Sequence, residues 1–190
     1  VSQAGGQVSI DLANNAAWEN VGPVYGDNVG DVAWRHEAGV FSNLTYVQNT
    51  GRNDLVSAKV SQDADYLYFT VKAARDIIVD DGANWMNLYI DANQENQGWE
   101  SFDFVLNKTA PTADKATLEK FTGNGYETET VGEVEYSVNG KYMQVKIPKV
   151  MLGLDGYDFT INFAWTDNVH DEADAAPAGE TAYKYTKFSG

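Results

Sequence analysis

Apolar and polar side chains alternate at every second residue along much of this chain, and that period belongs to strands packed on one face. The clearest unit is Gly132–Pro148, where Asn139-Gly140 reads as a two-residue hairpin turn. Counting outward from that turn pairs Tyr136 with Met143, Val134 with Val145 and Glu133 with Lys146. Apolar meets apolar on one face and opposite charges meet on the other, so turn and pattern agree. Tyr66–Ala73 sets Leu67, Phe69 and Val71 against Tyr66, Tyr68, Thr70 and Lys72. Asn84–Asp91 sets Met86, Leu88 and Ile90 against Trp85, Asn87 and Tyr89. Ser101–Asn107 and Phe159–Thr166 alternate in the same way, and Leu55–Val60 and Thr181–Phe188 are weaker strands.

Helical signal is confined to a turn or two at Asp114–Phe121 and one at Val150–Leu154. Many half-apolar strands without alternating helices predict an all-β fold, an antiparallel β-sandwich with jelly-roll or immunoglobulin-like layers. The predicted core is Leu67, Phe69, Val71, Met86, Leu88, Ile90, Phe102, Phe104, Val145, Ile147, Ile161 and Phe163. Trp165 shares the apolar face of its strand and joins that core.

The 190 residues suit one domain, 1–190, with residues 1–8 read as the remnant of a linker and no signal peptide ahead of it. No cysteine is present, which excludes disulfides, thiolate metal sites and cysteine nucleophiles. Thirteen basic against 28 acidic residues leave a net charge of −15, which argues against nucleic acid and anionic membranes as partners. No stretch approaches the ~20 apolar residues of a membrane-spanning helix. The two histidines, His36 and His170, lie in acidic loops and read as ordinary surface residues. No acid pair stands in a recognisable glycosidase setting, so the chain is not expected to be an enzyme.

Two features point toward ligands. Asp91-Ala-Asn-Gln-Glu-Asn-Gln-Gly98 puts oxygen-bearing side chains in a loop between strands, with Asp103 close behind. It reads either as a polar turn or as a structural calcium site built on Asp91, Asn93 and Asp103, since calcium takes six to eight oxygens. A second acidic stretch, Asp167–Asp174, is a weaker candidate. Trp85, Asn87 and Tyr89 stand on the face that the core does not need, and Tyr66 and Tyr68 repeat the pattern. A flat ring flanked by amides and carboxylates is what sugar recognition requires. Trp99, at the entrance to a strand, either caps the core or lines the rim of such a site.

Gly51-Arg-Asn-Asp54, Asp65–Phe69, Asn84–Asp91, Gly98–Asn107, Ile147-Pro148 and Phe163–Asn168 occur in that order. Together they resemble the family-nine-like carbohydrate-binding modules of the DOMON superfamily. The resemblance is closer to accessory domains of bacterial polysaccharide-degrading enzymes, such as agarase-type glycoside hydrolases, and spans roughly Ile10 to Phe188. It implies a secreted, extracellular bacterial module, monomeric, that binds polysaccharide or oligosaccharide beside a catalytic domain of the same parent chain. It also implies structural calcium, and on association alone a galactan of the agar or porphyran type. Two other readings stay open: a DOMON-type redox domain, for which axial haem ligands are few, and a structural spacer or protein-interaction sandwich.

Overall fold

The computed structural model describes residues 2–3, 10–13, 15–19, 21, 25–26, 35–37, 44–46, 55–79, 85–93, 98–99, 101–156, 159–167, 174–176 and 183–187. Along the chain run β1 (Ser2–Gln3), a 3₁₀ turn (Asn15–Trp18), β2 (Tyr25–Gly26), β3 (Arg35–Glu37), β4 (Leu44–Tyr46), β5 (Leu55–Gln62) and β6 (Tyr66–Ala73). Then follow β7 (Asn87–Asp91), β8 (Phe104–Leu106), β9 (Lys115–Phe121), β10 (Thr128–Asn139) and β11 (Tyr142–Pro148). A second 3₁₀ turn (Lys149–Leu152) leads to β12 (Phe159–Asp167), β13 (Asp174–Ala176) and β14 (Tyr183–Lys187).

One sheet carries nearly all of these, in the order β1-β14-β12-β7-β8-β9-β10-β11-β6-β5-β2, with β13 beside β12 and a separate β3–β4 ribbon. Its pairings are antiparallel except β1 with β14. The sheet curls back on itself. Phe69 of β6 meets Phe163 of β12 edge-on at 5.6 Å although the two strands are far apart in the sheet order. At the margins β13 comes against β5, so the sheet nearly closes into a barrel. The all-β antiparallel fold is as the alternation predicts. One main sheet, rather than two separate ones, encloses the core, because strong coiling lets a long sheet cover its own apolar face.

The main core holds eleven of the twelve predicted residues, together with Trp165. Phe102 is the exception: it is buried against Tyr89 and Phe121 on the outer face. Strand alternation does not reach it, because β8 starts only at Phe104 and Ser101 has a φ of 70°.

The β10–β11 hairpin forms in a register two residues away from the count. Tyr136 pairs with Val145, Val138 with Met143 and Glu135 with Lys146. Gly140, at φ +59°, takes the first central position of the turn and Lys141 the second, as a type II′ turn requires, and Asn139 stays in the strand. There its Nδ2 donates to the Leu12 carbonyl at 3.0 Å. A slip of two preserves the faces, so apolar and charged rows still match.

Asp114–Phe121 is not helical: Lys115–Phe121 is β9, paired on both sides. Its Ala, Leu, Glu and Lys favour helix locally, but two flanking strands outweigh a propensity worth tenths of a kcal/mol per residue. The expected turn near Val150 is the second 3₁₀ turn.

Candidate functional site

β7 begins at Asn87 because Met86 has a φ of 43°. A left-handed residue interrupts the rule that neighbours point to opposite faces. Trp85 therefore leaves the Asn87–Tyr89 row and enters the main core, 0% exposed. Its Nε1–H donates to the Ile78 carbonyl at 3.0 Å and its ring meets Tyr136 at 6.1 Å. The expectation that Trp85 offers a face to ligand is corrected by this burial. Asn87 is sealed as well: its Nδ2 donates to the Leu106 carbonyl at 2.9 Å, and its buried Oδ1 has no hydrogen-bond partner among the described residues.

Tyr89 does point away from the main core, but other aromatics cover it. Trp99 lies 5.3 Å from its ring, Phe102 5.6 Å, and Phe121 stacks nearly parallel at 6.4 Å. Tyr126 closes the group, 4.9 Å from Trp99 in a T-shaped contact, with its hydroxyl 2.9 Å from that of Tyr89. Such arrangements add about 0.5–1.5 kcal/mol per pair beyond area burial. Phe102 and Phe121 are buried, whereas Trp99 and Tyr126 remain half-exposed.

Trp99 is presented by a tight turn. Its N–H donates to the Phe102 carbonyl at 3.0 Å and its carbonyl accepts from the Phe102 N–H at 2.8 Å. Gly98, at φ +74°, brings the chain in so closely that a Cβ there would lie 1.9 Å from the Phe102 oxygen.

A polar rim runs beside the aromatic group. Glu119 accepts from the Thr109 N–H and hydroxyl at 3.2 and 3.0 Å, and from the Thr128 hydroxyl at 3.0 Å. Lys108 donates to Thr128 at 3.1 Å and holds its ammonium 5.0 Å from the Tyr126 ring centre. Burial raises the Tyr126 pKa; the Tyr89 hydrogen bond lowers it and the Glu119 charge raises it further. Its phenol is therefore neutral near pH 7, able both to donate and to accept. Two ring surfaces bordered by hydroxyls, a carboxylate and an ammonium suit a ligand with apolar C–H faces and many hydroxyls.

Tyr66 and Tyr68 belong to another part of the outer surface. Tyr68 is buried under Ile10, Trp18 and Val21 and donates its hydroxyl to Asp63. It is a packing residue under the N-terminal segment, so its expected place on a ligand face is corrected. Tyr66 is half-exposed, with the Lys146 ammonium 4.1 Å over its ring. The six predicted sugar contacts thus do not form one platform: Trp99 is half-exposed above Tyr89, and Tyr66 lies in the separate Tyr68 cluster.

The predicted metal ligands do converge. Asp91 ends β7 and Asp103 precedes β8; they are 4% and 6% exposed. Asp91 accepts from the Asn93 N–H at 3.2 Å and from Asn162 Nδ2 at 3.0 Å. Asp103 accepts from the Ala92 N–H at 2.9 Å and from Asn93 Nδ2 at 3.3 Å. Burial raises the Asp103 pKa. The Ala92 N–H opposes this, the Asp91 charge adds to it, and the Asn93 N–H and Lys120 lower it.

The folded protein thus holds this proton more tightly than the unfolded chain. The resulting stability is present below the ordinary carboxylate pKa of about 4 and is lost as pH rises through the folded value. In chelator, Asp103→Asn removes that titration. Variant stability minus wild-type stability should therefore grow as pH rises above about 4 and level off above the folded value, as read in thermal melts. A difference that stays constant over that range would show that Asp103 does not titrate as described.

Among the described residues no group of three or more histidine, cysteine, aspartate or glutamate side chains could hold a metal ion. An oxygen site here rests on the two aspartates and the amide of Asn93. Most of the Asp167–Asp174 stretch, His170 and the side chain of His36 lie outside the described residues.

Tyr126 and Phe121 are the site residues that alternation misses. Tyr126 follows Thr122-Gly-Asn-Gly125, a turn without period, and its only sequence signal is a large aromatic placed where turns prefer small residues. Compared with protein-family models, curated proteins and solved structures, the chain matches none of them.

Proposed function

We propose that this chain is a non-catalytic carbohydrate-binding domain, with Trp99 and Tyr126 as its stacking surface. The observation that carries this reading is the aromatic group on the outside of the sheet, outside the main core, with two half-exposed rings beside a polar rim. The sequence resemblance supports the same class. The chain then serves as a secreted accessory domain that holds an appended glycoside hydrolase on a polysaccharide, an agar- or porphyran-type galactan being the first to test.

Calcium at Asp91 and Asp103 fits this reading. Burial and the Asp91 charge both oppose ionisation of Asp103, and a divalent cation bound there would offset that cost. Millimolar calcium should raise the melting temperature, and chelator should reverse the rise.

The sugar contact is tested by affinity electrophoresis through agarose, porphyran, xylan, cellulose and laminarin. Trp99→Ala should weaken binding by about 2 kcal/mol, roughly 30-fold in Kd, while the melt shifts by only a few degrees. Failure of folded, calcium-loaded wild type to bind any of these glycans would favour the spacer reading.

A further inference from the structure

The outer face of β5, β6 and β11 carries a cavity of about 250 Å³, walled on one side by the first 3₁₀ turn and Glu19. Its floor is set by register. Lys59 lies opposite Thr70, and Ser57 opposite Lys72, which in turn lies opposite Tyr142. Core-facing Ala58, Val60, Phe69 and Val71 alternate with these residues, so Lys59 and Lys72 are forced onto the same outer face as diagonal neighbours.

Two ammonium groups so placed repel each other. Neither forms a salt bridge among the described residues: Lys59 donates to the Trp18 carbonyl at 2.8 Å, and Lys72 sits 5.8 Å from the Tyr142 ring centre. Glu19 is the only acid among the described residues that line the cavity. Another cavity surrounds Lys149 with Asp65 and Asp155, in keeping with a chain of net charge −15. The β5–β6–β11 cavity reverses that balance.

We infer that it binds an anionic group carried on a sugar, a carboxylate or a sulfate ester. The ammonium of Lys72 and the two remaining N–H donors of Lys59 hold the oxygens; the hydroxyl of Ser57 and the ring of Tyr142 meet the sugar. Its volume is below the 300–1,000 Å³ typical of drug-sized ligands, so it admits one sugar residue or its charged substituent. The inference rests on the carbohydrate reading for the nature of the polymer and adds that the polymer is acidic. The protein's overall charge opposes such a polymer at long range. At about 0.15 M salt the screening length is about 8 Å, which weakens that repulsion and spares contacts within the cavity.

Calorimetry at that salt concentration, on the calcium-loaded chain, compares short oligosaccharides of neutral agarose, a sulfated galactan and polygalacturonate, with inorganic sulfate as a fourth probe. At least one acidic oligosaccharide should bind about tenfold more tightly than the neutral one. Lys72→Gln should erase that preference and leave neutral binding unchanged, and Lys72→Arg should keep it. The sulfated and carboxylated arms identify which anion is read. Equal affinity for acidic and neutral sugars, or a preference that survives Lys72→Gln, would overturn the inference. So would inorganic sulfate binding as tightly as the sulfated sugar, which would mark a free-anion site. Loss of neutral binding in Trp99→Ala with the acid preference intact would support the cavity as a second contact. If neutral sugars fail to bind while acidic binding still depends on Lys72, the cavity stands and the Trp99 surface falls.

Discussion

Trp85→Ala should destabilise the protein by about 3–5 kcal/mol, the usual cost of deleting a buried tryptophan. The ring is fully buried, its indole N–H satisfies the Ile78 carbonyl, and Tyr136 packs against its edge. Truncation leaves a cavity in the main core and an acceptor without its donor. For a domain of this size the melting temperature should fall by roughly 10 °C. Below its melting point the variant should bind glycan as wild type does, because no surface at Trp99 has changed. A change of less than about 1 kcal/mol in chemical denaturation would mean that Trp85 is not packed as described.

Gly98→Ala should act in the opposite manner, with its main effect on the site. A methyl group at Gly98 would meet the Phe102 carbonyl oxygen at 1.9 Å, with the backbone already at φ +74°. Neither atom is the end of a flexible side chain, so the Trp99–Phe102 turn has to open. Strain of this kind costs about 1–3 kcal/mol, and here it is relieved by releasing Trp99 from Tyr89 and Phe121. Tryptophan fluorescence should shift to the red, and glycan affinity should fall at least as far as in Trp99→Ala. Unchanged fluorescence and affinity would show that Gly98 does not set the position of Trp99.

Much of the sheet is legible in the sequence because alternation is a local signal. Leu67, Phe69, Val71, Leu88, Ile90, Ile161 and Phe163 all point inward, as period two requires. Local backbone exceptions defeat the same reading. Met86 and Ser101 adopt left-handed conformations that no side-chain pattern announces, and each moves a neighbouring aromatic, Trp85 or Phe102, to the face opposite the one expected. The hairpin shows the same limit, since Asn-Gly marks a turn without saying which central position the glycine takes. β9 is obscured by the helical propensity of its residues: its partners β8 and β10 show alternation of their own, but nothing local in Lys115–Phe121 announces that it pairs between them.

The candidate site was legible only in part for a related reason. Asp91, Asn93 and Asp103 fall within one loop and its flanks, so sequence proximity brings them together. The aromatic group draws on four separate segments, with Tyr89, Trp99, Phe121 and Tyr126 meeting only once β7, β8 and β9 have paired. Burial, which decides whether an aromatic serves core or ligand, depends on that assembly and on the loops that cover it. Tyr68 illustrates the point: its strand position faces outward, but the Ile10–Val21 segment covers it.

Sugar binding at the outer aromatic group requires that Trp99, and not Trp85, meets the ligand. Nitrogen-labelled protein titrated with an agarose oligosaccharide reports each indole N–H separately in a proton–nitrogen correlation spectrum. The Trp99 signal should move with ligand concentration, while those of Trp85 and Trp165, both fully buried, stay in place. Movement of the Trp85 indole with Trp99 unaffected would contradict the account.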